Sequence, residues 1–284
     1  MHNTKQCKYC LSVVIATLGG DSLRSTIEHL NKGAVVPTEI LVCIPEEDSF
    51  RLEPLSCPNV RVVKTDCRGQ VAQRAIGLKL AINEYVLQMD DDIQLQSETI
   101  RILLSELDVL GKKNVVGPAY YDLHTKQPIH NFEKGIHGIF KSIYYLVFCG
   151  AKWGVRRMGK FTSVGIGFGI DPTRIQGGCI PVEWLPGGCV LSYKDDLVLD
   201  NFFPYAGKAY CEDFIHSHLR TMQGICHWVV SSATCMISSP EFYSSQKELS
   251  ASIKARRYFV KNSRRSFVRL KIYEIIEQVR IFLK

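Results

Sequence analysis

The strongest constraint on the fold is a strict alternation of short apolar runs and helical patterns through the first part of the chain. Leu11–Ala16 (LSVVIA) reads as a buried strand, and Thr17-Leu18-Gly19-Gly20-Asp21 as the loop that follows it. Ser22–Asn31 has apolar residues at helical spacing. Glu39–Ile44 and Val60–Lys64 read as the next two strands. Gln70–Asn83 is a helix with Val71, Ala75, Leu78 and Ile82 inward. Tyr85–Met89 is a fourth strand and runs directly into Asp90-Asp91-Asp92. Ser97 can cap a helix reaching Leu110, and Asn114–Gly117 is a fifth strand. This order predicts a mostly parallel, Rossmann-like α/β sheet flanked by helices, with ligands at the carboxyl ends of the strands. After Tyr120 the alternation weakens, which predicts a less regular second half of the same domain.

Charge divides the chain. Lys and Arg total 35 and Asp and Glu total 28, a formal net charge of +7. From Lys254 to Lys284 there are ten basic and two acidic residues, leaving 25 basic and 26 acidic residues in the body. A near-neutral body with a basic tail argues against nucleic acid and for a local anionic partner. In the tail, Val268, Ile272, Ile275, Ile276, Val279, Phe282 and Leu283 recur at helical spacing, with Glu274 and Glu277 opposite. Two readings stand: a helix docked on the body, or an interfacial helix on an anionic membrane leaflet. Phe140–Arg157 is an apolar, aromatic patch between basic residues, too short to span a bilayer. Eleven cysteines without a regular framework read as reduced thiols, and the polar N-terminus carries no secretory signal, so a cytoplasmic protein is expected.

Two acidic clusters carry the chemistry. Three adjacent carboxylates at a strand end repel one another, and a Mg²⁺ or Mn²⁺ ion is a natural compensation; a solvated acidic turn is the alternative. Glu212-Asp213 opens a helical stretch, where acids also suit the helix dipole. Other motifs carry less. Cys7 and Cys10 have zinc-knuckle spacing but no second pair. Gly165, Gly167 and Gly169 lack the third glycine of a dinucleotide fingerprint and read as a flexible loop near an acceptor, a candidate lid. His216 and His218 are two apart and face different directions. Cys211 reads as packing.

The ordered set LSVVIAT, EILVCIP, GQVAQRAIGLKLA, YVLQMDDDI, LPGGCVL and CEDFIHSHLRTMQG resembles the family 2 glycosyltransferases of the GT-A fold, over about Ser12 to Met236. The resemblance implies a catalytic domain over 1–240 and a basic amphipathic helical extension over 241–284. It implies an inverting, Mn²⁺- or Mg²⁺-dependent hexosyltransferase that uses a UDP-, GDP- or dTDP-sugar and a glycan or lipid-linked acceptor in polysaccharide biosynthesis. In this pattern Thr17 to Asp21 approach the nucleotide and Arg74 lies near the diphosphate. Asp90, Asp91 and Asp92 form the DXD motif, with Asp92 and Asp90 on the cation. Asp213 is the base with Glu212 beside it, and Gly187-Gly188 line the sugars. Trp184 stacks on a sugar or packs in the core. The usual acid after the second strand is absent; Ile44 and Pro45 stand there, and Glu46 replaces it one or two residues later. A peripheral position on the inner face of the cytoplasmic membrane is implied for the tail. Two other readings remain: a catalytically silent nucleotide-sugar-binding membrane module, and a nucleotidyltransferase, disfavoured because Thr17–Asp21 contains no basic residue.

Overall fold

The structure is a computed structural model and describes residues 9–132, 135–175, 177–238 and 246–282; side chains are described to residue 278. Cys7 of the paired-cysteine motif, the side chains of Val279 and Phe282, and Leu283 lie outside the described residues, as does the expected domain boundary near 240.

The strands are β1 (Leu11–Ala16), β2 (Glu39–Pro45), β3 (Val60–Thr65), β4 (Tyr85–Asp90), β5 (Gln94–Leu95), β6 (Asn114–Asp122), β7 (Cys179–Val182), β8 (Cys189–Tyr193) and β9 (Cys226–Ile237). The helices are α1 (Ser22–Asn31), α2 (Gln70–Leu80), α3 (Thr99–Leu110), α4 (Gly135–Cys149), α5 (Glu212–Met222), α6 (Gln246–Asn262) and α7 (Phe267–Phe282). One nine-stranded sheet runs β3-β2-β1-β4-β8-β6-β9-β5, with β7 paired to β9. β3, β2, β1 and β4 are parallel; β8 runs antiparallel between β4 and β6, and β6 and β9 are again parallel. β1 is buried at every position and β2 at all but its first, as expected of strands covered on both faces.

The helix bounds differ from expectation at two ends. α2 stops at Leu80, so Ile82 is exposed rather than inward. α3 begins at Thr99 after Glu98, and Ser97 does not cap it. α2 lies close on the sheet because residue 77 is glycine: a Cβ there would strike Val14 and Cys43. That contact fixes the register of α2, and therefore the direction of Arg74.

The extension is not a free tail. Ala255, Phe259 and Val260 of α6 and Leu270 of α7 share one buried cluster with Val71, Val164, Phe203 and Ile215 of the body. Glu274, expected on the polar outer face, is buried and accepts two hydrogen bonds from Arg257, at 2.8 and 2.7 Å. Among the described residues no helix is long and apolar enough to cross a membrane, and all ten cysteines are free.

Candidate functional site

The sheet brings the two acidic clusters together at the carboxyl ends of β1 and β4. β4 carries its backbone out to Asp90, whose N–H donates to Gly188 O at 2.8 Å. Thr17, buried at the end of β1, donates its hydroxyl to the Asp91 carboxylate, and the Thr26 hydroxyl donates to Asp91 O at 2.8 Å. The acidic turn is thus braced from β1 and α1.

α2 supplies the link to the second cluster. Gln73 ties the helix start to the ends of β1 and β2: its amide donates to Thr17 O at 2.8 Å and Cys43 O at 2.9 Å. One residue on, the buried Arg74 bridges both clusters. Nη2 donates to Asp90 Oδ1 at 2.7 Å and Nη1 to Glu212 Oε1 at 2.9 Å. Gln70 adds a second donor to Asp90 Oδ1 at 2.9 Å. Gly187 and Gly188 fit between the clusters. A Cβ at 187 would strike Glu212 Oε1, and one at 188 would sit 2.9 Å from Asp90 Oδ2. Gln88 holds this segment by donating to Gly187 O at 2.5 Å.

Glu212 and Asp213 open α5, preceded by Cys211 in the left-handed region at φ 56°. That conformation is costly for a residue with a Cβ, and such outliers gather at functional sites. Glu212 is buried between arginines: besides Arg74, the fully buried Arg220 acts on it. Burial lowers Arg220 to about 9, against the pull of Glu212. For Arg74, burial opposes the charge, but Glu212 and Asp90 outweigh it and raise its pKa. Behind them His216 and His227 are buried and held neutral, above all by burial.

Asp213 is only half-buried. Burial of its carboxyl, then the neighbouring Glu212, raise its pKa to about 8; its own helix N–H groups oppose this. Burial also raises Asp91 and Asp92, with Asp90 adding to both and Asp91 to Asp92. Asp92 is exposed, and no described side chain hydrogen bonds to its carboxylate. An exposed carboxylate repelled by two others suits a hard cation. Among the described residues no three His, Cys, Asp or Glu side chains are grouped to hold a metal.

The remaining sequence candidates fall around this centre. Asp21 is exposed at the start of α1 and makes no capping bond. Glu46 is exposed and lies 3.7 Å from Lys64. The buried acid of that segment is Asp48, paired with Arg51 at 3.5 Å and Arg68 at 3.3 Å. A cleft runs between Arg68–Ala72 at the start of α2 and the loop from Asn201 to Ala209. On the other side, Trp184 is core: its indole N–H donates to Phe168 O at 3.2 Å and its ring meets Phe214 edge-on at 4.8 Å. The glycine loop is packed rather than free. A Cβ at 167 would strike Trp184 and Phe214, and one at 169 would strike His130. Beyond it lies a cavity of about 180 Å³, lined by His130, Phe132, Lys141, Tyr145, Arg157 and Phe168. Gln70, Gln73, Gln88 and Arg220 carry no sequence signal, because neutral amides and a helical arginine have no distinctive spacing.

The glycosyl transferase family 2 profile matches residues 47–156, a span that includes Arg74 and Asp90–Asp92 but ends before Glu212. No curated protein sequence matches the chain. Among solved structures, GalNAc-T7 with UDP, GalNAc and Mn²⁺ superposes with a TM-score of 0.59 at 15% identity, covering 89% of this chain and 48% of that one. S. aureus TarS gives 0.51 at 14% identity, covering 91% of this chain and 41% of that one. A TarS 1-349 complex with UDP-GlcNAc gives 0.50 at 14% identity, covering 91% and 68%. The chain thus spans about half or less of the first two. The chain thus resembles glycosyl transferase family 2 over residues 47–156 and shares the GT-A fold of these solved structures.

Proposed function

We propose that the chain transfers a sugar from a nucleotide-sugar to a glycan or lipid-linked acceptor, with inversion at the anomeric carbon. The observation that carries this reading is Arg74, which joins Asp90 to Glu212, 138 residues beyond Arg74 itself, and so makes one site of two acidic clusters. One neighbour solved with UDP and one solved with UDP-GlcNAc support a nucleotide-sugar donor. The nucleotide lies along Thr17 to Asp21 and Asp91, with Glu46 or the buried Asp48 toward the base. The cleft at the start of α2 takes the diphosphate, where helix N–H groups favour an anion. Gly187 and Gly188 leave room for the donor sugar.

Asp92 and Asp90 would hold Mn²⁺ or Mg²⁺, which supplies positive charge to the departing nucleoside diphosphate. Asp213 takes the proton from the acceptor hydroxyl as that oxygen attacks the anomeric carbon. A base with a pKa near 8 is well matched to this task, and such a group contributes about 10²–10⁴-fold. Arg74 holds the Glu212 carboxylate in place through its hydrogen bond; Glu212 in turn raises the basicity of Asp213. Displacement in one step needs no covalent enzyme intermediate, and burial holds the Cys211 thiol up at about 12, far from a reactive thiolate. A cytoplasmic role in surface polysaccharide synthesis fits this chemistry.

The test is a panel of UDP-, GDP- and dTDP-sugars with Mn²⁺ and Mg²⁺, read by release of the nucleoside diphosphate and by product anomer. One donor should turn over with an inverted product. Binding without turnover of any donor would favour a silent module, and a retained anomer would overturn the direct displacement.

A further inference from the structure

α4 and α7 are built inside out. On α4, Ser142 and Cys149 are buried against the body, while Ile139, Phe140, Ile143 and Val147 are exposed, Phe140 by 65%. On α7 both carboxylates turn inward: Glu274 to Arg257, and Glu277 to the Tyr144 hydroxyl, which donates at 2.6 Å. Val268, Ile272 and Ile275 are left outside, Val268 by 74%. The two helices lie side by side and antiparallel, since Tyr144 meets Glu277 while Gly150 lies against Arg269. Isolated exposed apolar residues are ordinary, but a contiguous set on two adjacent helices marks an interaction surface.

We infer that this paired face docks on an anionic lipid bilayer, with α4 at its centre and α7 at its flank. Charge selects the occupant. Residues 135–157 contain four basic and no acidic residues. Lys152 and Arg156 are exposed just after α4, and Arg264 is exposed just before α7. Trp153, 46% exposed beside Lys152, suits the headgroup level. A second copy of the chain would set this positive rim against itself, a like-charge contact. An anionic leaflet meets both the apolar face and its rim. Fifteen residues at about 1.5 Å each are too short to span, so α4 lies in the interface plane.

The inner side of the same helix faces the cavity. Lys141 and Tyr145 line it together with Arg157, whose guanidinium is stacked 4.9 Å from Phe132 and 5.0 Å from Phe168. His130, also in its wall, meets Trp184, which packs on Phe214 beside Asp213. A docked bilayer therefore lies next to this cavity, with the packed Trp184 and Phe214 between the cavity and the acidic pair. The docking itself does not depend on the proposed reaction.

The test is flotation of the full chain with vesicles of phosphatidylcholine alone, or with about one-third phosphatidylglycerol. The chain should float with the anionic vesicles and less at high salt. Phe140→Ser with Val147→Ser should cut flotation about tenfold or more, with little change in melting temperature because both side chains are more than half exposed. Val268→Ser with Ile272→Ser should cut it by less. Equal flotation of the α4 variant, or no flotation of the unaltered chain, would overturn the inference. So would a vesicle-free dimer dispersed by the α4 substitutions with no flotation, which would give the face to a second copy.

Discussion

Substituting Arg74 and Glu212 singly and together tests whether the bridge organises the site. Both side chains are buried, and their contact measures 2.9 Å, with a second contact of 2.7 Å from Arg74 to Asp90. Removing one partner of a buried pair leaves the other charge uncompensated, which costs about 3–5 kcal/mol. Arg74→Met strands Glu212, although Arg220 remains near it, and so falls toward the lower end of that range. Glu212→Gln strands Arg74 and Arg220 near each other and falls toward the upper end. The double variant leaves neither of the paired charges buried. Its loss should therefore be smaller than the sum of the singles by about 2 kcal/mol, within the usual span for residues in contact. Urea unfolding of the four proteins at neutral pH, followed by two probes, reads the coupling directly. Additivity within about 0.5 kcal/mol would refute the bridge as an energetic unit.

Other consequences are open to measurement. Gly187→Ala pushes a Cβ into Glu212, and turnover should fall about 10²-fold while the fold survives; unchanged steady-state kinetics would contradict this. Asp213 must be ionised to act as base, so kcat/KM should rise with pH toward a plateau above about 8, a limb that Asp213→Asn should abolish together with turnover. Because the raised pKa means the fold disfavours the ionised form, the wild type loses stability as pH climbs from the ordinary carboxyl range to about 8. The Asp213→Asn melting temperature should thus exceed the wild type's by a margin that widens from about pH 5 to about pH 9. Leu270 of α7 is fully buried, and Leu270→Ala should cost about 2–5 kcal/mol by chemical unfolding. A cost near zero would mean that α7 is not docked.

The first half of the fold is legible in the sequence because its strands are buried on both faces and its helices on one. β1 and α1 emerge at the bounds read from apolar spacing alone. α4 escapes that logic. Its apolar residues mostly face solvent, so the pattern suggests a patch without saying that it is a helix. β5 is two residues long, and β9 carries an irregularity at Pro118/Ala119 of its partner that breaks any regular period. At the site, the carboxylates announce themselves, since charge at the end of an apolar strand is conspicuous. The connection between them does not, because Arg74 and Glu212 lie 138 residues apart and meet only through the crossover of the sheet. The tail misleads for a related reason. Spacing marks an apolar stripe but not which side the body covers, and the body covers the side with Glu274.

The most direct test of the proposed site pairs donor binding with turnover in two variants, using the active donor and Mn²⁺. Asp92→Asn should lose the Mn²⁺-dependent part of nucleoside diphosphate affinity. Asp213→Asn should bind the donor as the wild type does yet transfer no sugar. Wild-type turnover by Asp213→Asn, or wild-type Mn²⁺-dependent affinity in Asp92→Asn, would contradict the assignment of base and cation to these two clusters.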